Sequence, residues 1–522
     1  MLKNILLISS VAGLAACAQL GVPGADLTEA PAQATGNPWF DDAQAVLAAR
    51  KELKRNTGRA KNVILFVADG MDPTTVAAAR IFDGQSRGEE GEENLLSFER
   101  FPYLAMSKTY NTDTQTPDSA GTMTAMTTGY KTKAGVIALN NDAVRGDCAK
   151  ALNAHASTIV ELAESAGMAT GVISTARLTH ATPAATYAHS ADRNWENDAV
   201  LPDAATKLGC RDIASQLIDF SRGDGVDFAM GGGRSNFLPA DYDDPEDVGK
   251  KGARKDGRNL VVEWTAKSST HVSIWNATQF NAIDPSTDPR VLGLFERSHM
   301  KYEADRGTDA GGEPSLEDMT RKAIAVLSRS GSGYVLVVEA GRVDHAHHDG
   351  NAARALHDAQ EFAQAVAAAR AMTDISDTLI IATADHGHTL TFAGYPLKGN
   401  NILGLATTVP KYDRVGDGFA RASDGKTYTT LGYANGPGAV FKKGADLSKG
   451  RPEVTNAQAL DLNHLQHSLA PMRDETHGGQ DVTIYASGPR AYLFGGVVEQ
   501  NYIFHVIDDA LRLRKRAAAN SQ

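Results

Sequence analysis

A set of carboxylate and imidazole side chains is spread over about four hundred residues, yet each lies beside a strand-like apolar run. Asp69 follows NVILFVA, Asp344 and His348 follow YVLVVEAGRV, Asp385 and His386 follow TLIIATA, and His477 stands in ETHGGQD. Continuous β-branched runs read as buried parallel strands, and open α/β sheets bind ligands outside the carboxyl ends of their strands. Zinc takes a few nitrogen and oxygen ligands and keeps one position open when catalytic, whereas magnesium wants hard oxygens and several waters. Asp344 and His348 lie four apart, so on one helical turn they face the same way. With His477 they make one zinc-type set, and Asp69, Asp385 and His386 make a second. Alone, a D-x-x-x-H pair is commonly a solvated helix face and an Asp-His at a strand end a capping pair; their joint occurrence at strand termini carries the metal reading. His345 and His347 are left unassigned, and His388 is read as a partner that orients a ligand carboxylate.

Ser119 sits in PDSAGT ahead of the helical run MTAMTTG, so its hydroxyl stands near a helix N-terminus, where N–H groups and the dipole favour an anion. The plainer reading is that Asp118 or Ser119 caps that helix. No Ser-His-Asp arrangement is evident, which leaves a metal as the economical activator of a serine nucleophile. Arg193, in SADRNW, suits a bidentate grip on phosphoryl oxygens. Together these residues predict a two-metal phosphoryl-transfer centre.

The elements that must position them alternate along the chain: strand signals in NVILFVAD, ATGVISTA, VDFAMGGG, YVLVVEA and TLIIATAD are separated by helical stretches such as Asp72 to Ile81. That alternation predicts an α/β fold with a doubly wound, mostly parallel central sheet flanked by helices. A chain of 522 residues with 42% hydrophobic and 22% charged content can bury a large core, and its net charge of -11 argues against a nucleic-acid-binding role. Leu238 to Arg258 reads as a surface insertion. Residues 394–474, studded with Gly, Asn and Asp, read as an inserted small β-rich subdomain, with 59–393 and 475–522 forming the two parts of the α/β domain.

At the N-terminus, Lys3 and the apolar run Ile5 to Ala16 read as a signal peptide, residues 1–16. Leu14-Ala15-Ala16-Cys17 resembles a lipobox, in which Cys17 is acylated and residues 17–58 become a tether and an amphipathic helix from Asp41 to Leu53; the alternative is an ordinary secretory signal. Cys148 and Cys210 then form an even pair in an exported, oxidising compartment, which predicts a disulfide over two buried free thiols.

NVILFVADGM, SKTYNTDTQTPDSAGT, THATPAATYAHSADRNW, VEAGRVDHAHH, TADHGH and ETHGGQD together resemble the alkaline phosphatase family, from about Lys61 to Leu511. The likeness is closer to its animal branch: His180 and His345 stand where the enterobacterial enzyme carries an aspartate and a lysine. The resemblance implies that Ser119 is a transiently phosphorylated nucleophile and that Arg193, with His180 nearby, holds the phosphate. It implies a first zinc on Asp344, His348 and His477, and a second on Asp69, Asp385, His386 and Ser119. A magnesium would be shared by Asp69, Thr182 and Glu339. Broad action on phosphomonoesters at alkaline pH follows, as does a homodimer whose contacts include the crown-like insertion. The animal branch also implies Ca2+ on Glu246, the carbonyl of Phe295, Glu296 and Glu313, against the reading of these as surface carboxylates.

Two rival functions share parts of this pattern. A phosphodiesterase, sulfatase or phosphonate hydrolase would use the same two metals and hydroxyl, but the trio Asp69, Thr182 and Glu339 with Arg193 resembles the monoesterase pattern. A non-catalytic envelope lipoprotein that stores or senses zinc or phosphate would not need Ser119 in its turn.

Overall fold

The computed structural model describes residues 36–408, 418–441, 446, 448 and 450–520. The stretch read as a signal peptide, residues 1–16, and Cys17 lie outside the described residues. A ten-stranded sheet runs through the molecule in the order β15-β2-β14-β8-β1-β7-β3-β4-β6-β5. Its strands are β1 (Asn62–Ala68), β2 (Tyr103–Lys108), β3 (Ala169–Arg177), β4 (Phe228–Gly232), β5 (His271–Ile274), β6 (Arg290–Leu294), β7 (Tyr334–Ala340), β8 (Thr378–Thr383), β14 (Val482–Ser487) and β15 (Val497–Glu499). β1 pairs in parallel with both β7 and β8, and β7 pairs in parallel with β3. Only β14 runs antiparallel, between β8 and β2, so the sheet is mixed rather than wholly parallel.

Side-chain alternation explains why the central strands are mostly apolar at successive positions. In β1, Val63, Leu65 and Val67 enter one hydrophobic core while Ile64, Phe66 and Ala68 enter the other, and β7 divides its residues in the same way. Both faces are covered, so both sets of alternate positions are largely apolar, and the polar exceptions such as Glu339 lie toward the strand ends. Each fully buried Val, Leu, Ile or Phe contributes roughly 1.5–3 kcal/mol. The carboxyl ends of β8, β1, β7 and β3 are therefore held by the most heavily buried part of the fold.

Helix boundaries differ from the sequence-based expectation where tertiary contacts intervene. The helix expected over 72–81 spans Pro73–Ser86, with Asp72 accepting the Thr75 N–H at 2.9 Å as its N-cap. Its polar last turn persists because Gln85 and Asp83 bond to Asn400 and Gln360 at 2.8 Å each. The N-terminal helix spans Pro38–Glu52, capped by Asn37, and buries none of its residues; Trp39 and Phe40 remain 62% and 59% exposed. The expected surface insertion around residues 238–258 is anchored rather than loose. Arg254 is 1% exposed and pairs with Asp212 at 2.8 Å.

Short strands surround the far end of the sheet: β9 (Gly387–His388), β10 (Leu390–Phe392), β11 (Leu431–Gly436), β12 (Ser468–Pro471) and β13 (His477–Gly478). β10, β11 and β12 form a three-stranded sheet, so regular pairing begins ahead of residue 394, and GAVFKK contributes an isolated bridge at Ala439 and no strand among the described residues. Cys148 and Cys210 are joined in a disulfide with Cα atoms 6.0 Å apart. Among the described residues no helix is long and apolar enough to cross a membrane.

Candidate metal centre

The side chains singled out in the sequence converge beyond the carboxyl ends of the four central strands. Asp69 follows β1 directly, Glu339 is the penultimate residue of β7, and Asp385 and His386 lie just past β8. Register aligns Val67 with Glu339 on one side and Thr383 on the other. The chain turns sharply after Asp69 because Gly70 adopts φ +77°, and a Cβ there would sit 2.3 Å from the His388 ring. Thr182 lies in the helix Ala181–Tyr187 after β3, and His348 ends the helix Arg342–His348 after β7.

Asp344, His348 and His477 form a tight triangle. His348 Nε2 and His477 Nε2 lie 3.2 and 3.3 Å from Asp344 Oδ1 and 3.1 Å from each other. The second nitrogen of each imidazole is already committed: His348 Nδ1–H donates to the Glu475 carbonyl at 2.5 Å and His477 Nδ1–H to the Pro117 carbonyl at 2.8 Å. In the neutral ring each Nε2 is then the lone-pair nitrogen, the tautomer a metal requires. Burial disfavours charge on Asp344, yet His348, His388 and His477 hold its carboxyl well below the usual range. Conversely, despite burial, Asp344 pushes His348 up to about 10.

Asp69, Asp385 and His386 form the adjoining set. His386 Nε2 lies 3.1 Å from Asp69 Oδ1, 3.4 Å from Asp385 Oδ2 and 3.2 Å from Ser119 Oγ. Asp385 Oδ1 accepts the Gly70 N–H at 3.1 Å and Oδ2 the Thr122 hydroxyl at 3.2 Å. Asp69 is wholly buried, and neither of its oxygens receives a properly directed hydrogen bond. Burial raises its pKa well above the carboxylate range, with Asp344 and Glu339 adding to the effect, and burial with Asp69 nearby pushes Asp385 up to about 7. The rings of His386 and His477 stack at 3.7 Å, so the two sets share a border.

A third group lies behind Asp69. Glu339 Oε1 and Thr182 Oγ1 are buried without partners, while Ser174 donates to Glu339 Oε2. Burial, then Asp385 and Asp344, pushes Glu339 up to about 8. Carboxylate oxygens left without donors in a dry interior are costly unless a cation neutralises them, so the donor chemistry of all three groups fits metal ions. Asp344, His348, His388 and His477 form one group able to hold an ion, Asp69, Asp344 and His386 a second, and Asp69, His180 and Glu339 a third.

Ser119 is the first residue of the helix Ser119–Thr128, all ten of whose residues are buried. Asp118 caps it by accepting the Gly121 N–H at 3.1 Å. The same carboxylate accepts from Arg193 Nη1 at 3.2 Å, a link the sequence concealed because Asp118 reads there only as a cap. Arg193 Nη2 donates to His180 Nε2 at 3.0 Å, and burial together with Arg193 holds His180 well below the usual imidazole range, so it is a neutral acceptor. The sequence placed His180 at the phosphate; its contacts are with Arg193 and with the Asp69–Glu339 group. His347 is hydrogen-bonded to Thr75 and Tyr433 and packs beside the ring of His388.

The four residues proposed for calcium come together away from this centre. Arg234 donates to the Phe295 carbonyl and pairs with Glu246, both at 2.9 Å, and Lys301 pairs with Glu296 at 2.7 Å. Glu313 Oε2 and Asp309 Oδ2 are buried and unpartnered; Asp309 escaped the sequence reading because it lies in the Gly-rich stretch before Glu313.

Comparison with known proteins agrees with this geometry. A family model described as alkaline phosphatase matches residues 60–513. Tissue-nonspecific alkaline phosphatases of Felis catus and Homo sapiens are 42% and 41% identical over 476 residues, covering 90% of this chain and 87% of each relative. The alkaline phosphatase of Gadus morhua is 40% identical over 475 residues, covering 90% of this chain and 95% of its own. The fold alone matches the Thermus thermophilus alkaline phosphatase, with a TM-score of 0.62 at 22% identity over 90% of this chain and 96% of that one. The chain therefore belongs to the alkaline phosphatase family of phosphomonoester hydrolases.

Proposed function

We propose that this enzyme hydrolyses a broad range of phosphate monoesters through a phosphoserine on Ser119, with two zinc ions and one magnesium. The observation that carries the reading is Asp69, a buried carboxylate with no directed donor, shared by the group with Asp344 and His386 and the group with His180 and Glu339, and 3.1 Å from the nitrogen that Ser119 also approaches. Asp344, His348 and His477 would hold one zinc; Asp69, Asp385 and His386 the other, with Ser119; and Asp69, Thr182 and Glu339 the magnesium. Bound there, the metals supply Lewis acidity that makes a hydroxyl nucleophilic and steadies a departing oxygen.

The remaining work falls to the chain. Arg193, fixed on two sides by Asp118 and His180, presents the rest of its fork to phosphoryl oxygens. Ser119 opens the helix Ser119–Thr128, whose N-terminal dipole favours negative charge beside it. Ser119 Oγ attacks phosphorus, the ester oxygen leaves, and water then cleaves the phosphoserine and restores the hydroxyl. Only the phosphate is gripped by the residues identified, which supports broad specificity. Turnover of an aryl phosphomonoester should exceed that of the matching diester by orders of magnitude at alkaline pH. Faster diester turnover would instead favour a phosphodiesterase.

Export as a lipoprotein through Cys17 belongs to the same reading, supported by the apolar leader and LAAC. So do a homodimer and a calcium site. The exposed Trp39, Phe40 and Leu469 support the first; the unpartnered Asp309 and Glu313 oxygens beside Glu246, Glu296 and the Phe295 carbonyl support the second.

A further inference from the structure

Glu475 lies two residues before His477 and is 1% exposed, yet it belongs to none of the groups able to hold an ion. It touches the first zinc set at several points. Its backbone N–H donates to the His348 carbonyl at 2.8 Å, and its own carbonyl accepts from His348 Nδ1–H at 2.5 Å. Its carboxylate turns the other way. Oε1 accepts both the N–H and the hydroxyl of Thr389, each at 2.6 Å, and Oε2 lies 2.6 Å from His388 Nδ1. The opposite nitrogen of the same ring, His388 Nε2, lies 2.8 Å from Asp344 Oδ1.

His388 could serve in either of two ways, since its nitrogen is close enough to Asp344, His348 and His477 to be a fourth ligand. A ring free to swing would be drawn into the ligand shell and would fill the position a catalytic zinc keeps open. Its surroundings prevent that movement. Glu475 holds one edge, the ring of His347 lies 4.7 Å away, and His347 is itself fastened to Tyr433 of β11 at 2.8 Å. Gly436 at the end of β11, with φ +133°, packs so closely that a Cβ there would meet Glu475 Cβ at 3.1 Å.

We propose that Glu475 is a positioning residue for the zinc set Asp344, His348 and His477: it clamps His388 in its hydrogen bond with Asp344 and so keeps that imidazole out of the ligand shell. The clamp ties the β10–β12 subdomain to the metal centre. This inference rests on the two-zinc reading above, and the experiment separates the two.

Zinc-loaded full-length protein is mixed with excess colorimetric zinc chelator, and release is followed for wild type, Glu475→Ala and Glu475→Gln. Loss of an outer partner of this kind typically costs 10–100-fold in metal affinity. In Glu475→Ala one zinc equivalent should leave about 10–100-fold faster while the other keeps its wild-type rate. Glu475→Gln retains an acceptor for Thr389 and a polar contact to His388, and should restore the rate to within about 3-fold. Equal acceleration of both zincs would mean general loosening of the fold and would overturn the proposal, as would unchanged release from Glu475→Ala. Wild-type protein that holds no zinc would overturn the metal-centre reading itself.

Discussion

Replacing Arg193 by alanine should lower kcat/KM for an aryl phosphomonoester by about two orders of magnitude. The Arg193 side chain is 19% exposed and held by Asp118 at 3.2 Å and His180 at 3.0 Å, so the guanidinium is fixed beside the cap of the helix that begins at Ser119. A hydrogen bond to a charged partner contributes about 1.5–3 kcal/mol. Two of them at the low end, appropriate to a site that water reaches, give about 3 kcal/mol, or roughly 150-fold at 1.4 kcal/mol per decade. The grip exists in the ground state too, so KM and the inhibition constant of inorganic phosphate should rise together. Folding should be little affected, because Asp118 keeps the Gly135 and Gly121 N–H groups at 3.0 and 3.1 Å. Steady-state kinetics with phosphate inhibition, beside a thermal melt, measures all three quantities. A variant with kcat/KM within about 3-fold of wild type and unchanged phosphate inhibition would refute the assignment of Arg193.

Two further outcomes concern stability. Replacing Cys148 and Cys210 together by alanine frees a 62-residue span and should cost roughly 4 kcal/mol on the loop-entropy model, read as a lower urea midpoint. An unchanged midpoint would mean the bond constrains little. Glu164 is 2% exposed, and burial followed by the charge of Asp227 pushes it up to about 9. A carboxyl with a raised folded pKa favours the folded state most below its unfolded value of about 4.3, and that advantage is lost as pH rises toward the folded value. Glu164→Gln should therefore melt increasingly above wild type between pH about 5 and 9; a constant difference across that window would contradict the sign.

Much of the fold and of the candidate centre was legible because the strands carrying them are buried on both faces. NVILFVA, YVLVVEA and TLIIATA are mostly apolar because alternate residues enter different cores, and the polar residues at and beyond the end of each run stand out against that background. Ser119 was visible through its turn and helix start. What stayed hidden depends on pairing between distant segments. Asp118 meets Arg193 across 75 residues and Glu475 meets His388 across 87, and neither spacing has a periodicity to reveal it. The antiparallel β14 was missed for a related reason: VTIYAS reads like any buried strand, and its direction is set by its place between β8 and β2. The length of the helix from Pro73 was hidden because its polar last turn is stabilised by Gln360 and Asn400, not by its own apolar pattern.

The account stands most directly on the covalent fate of Ser119. Wild-type protein loaded with zinc and magnesium should be mixed with an aryl phosphomonoester, quenched in acid, digested and analysed by mass spectrometry, beside Ser119→Ala. A phosphate on the peptide containing Ser119, absent from the variant and matched by loss of its turnover, is the predicted result. Full turnover in Ser119→Ala, or rapid turnover with no phosphoserine trapped at any quench time, would contradict the mechanism.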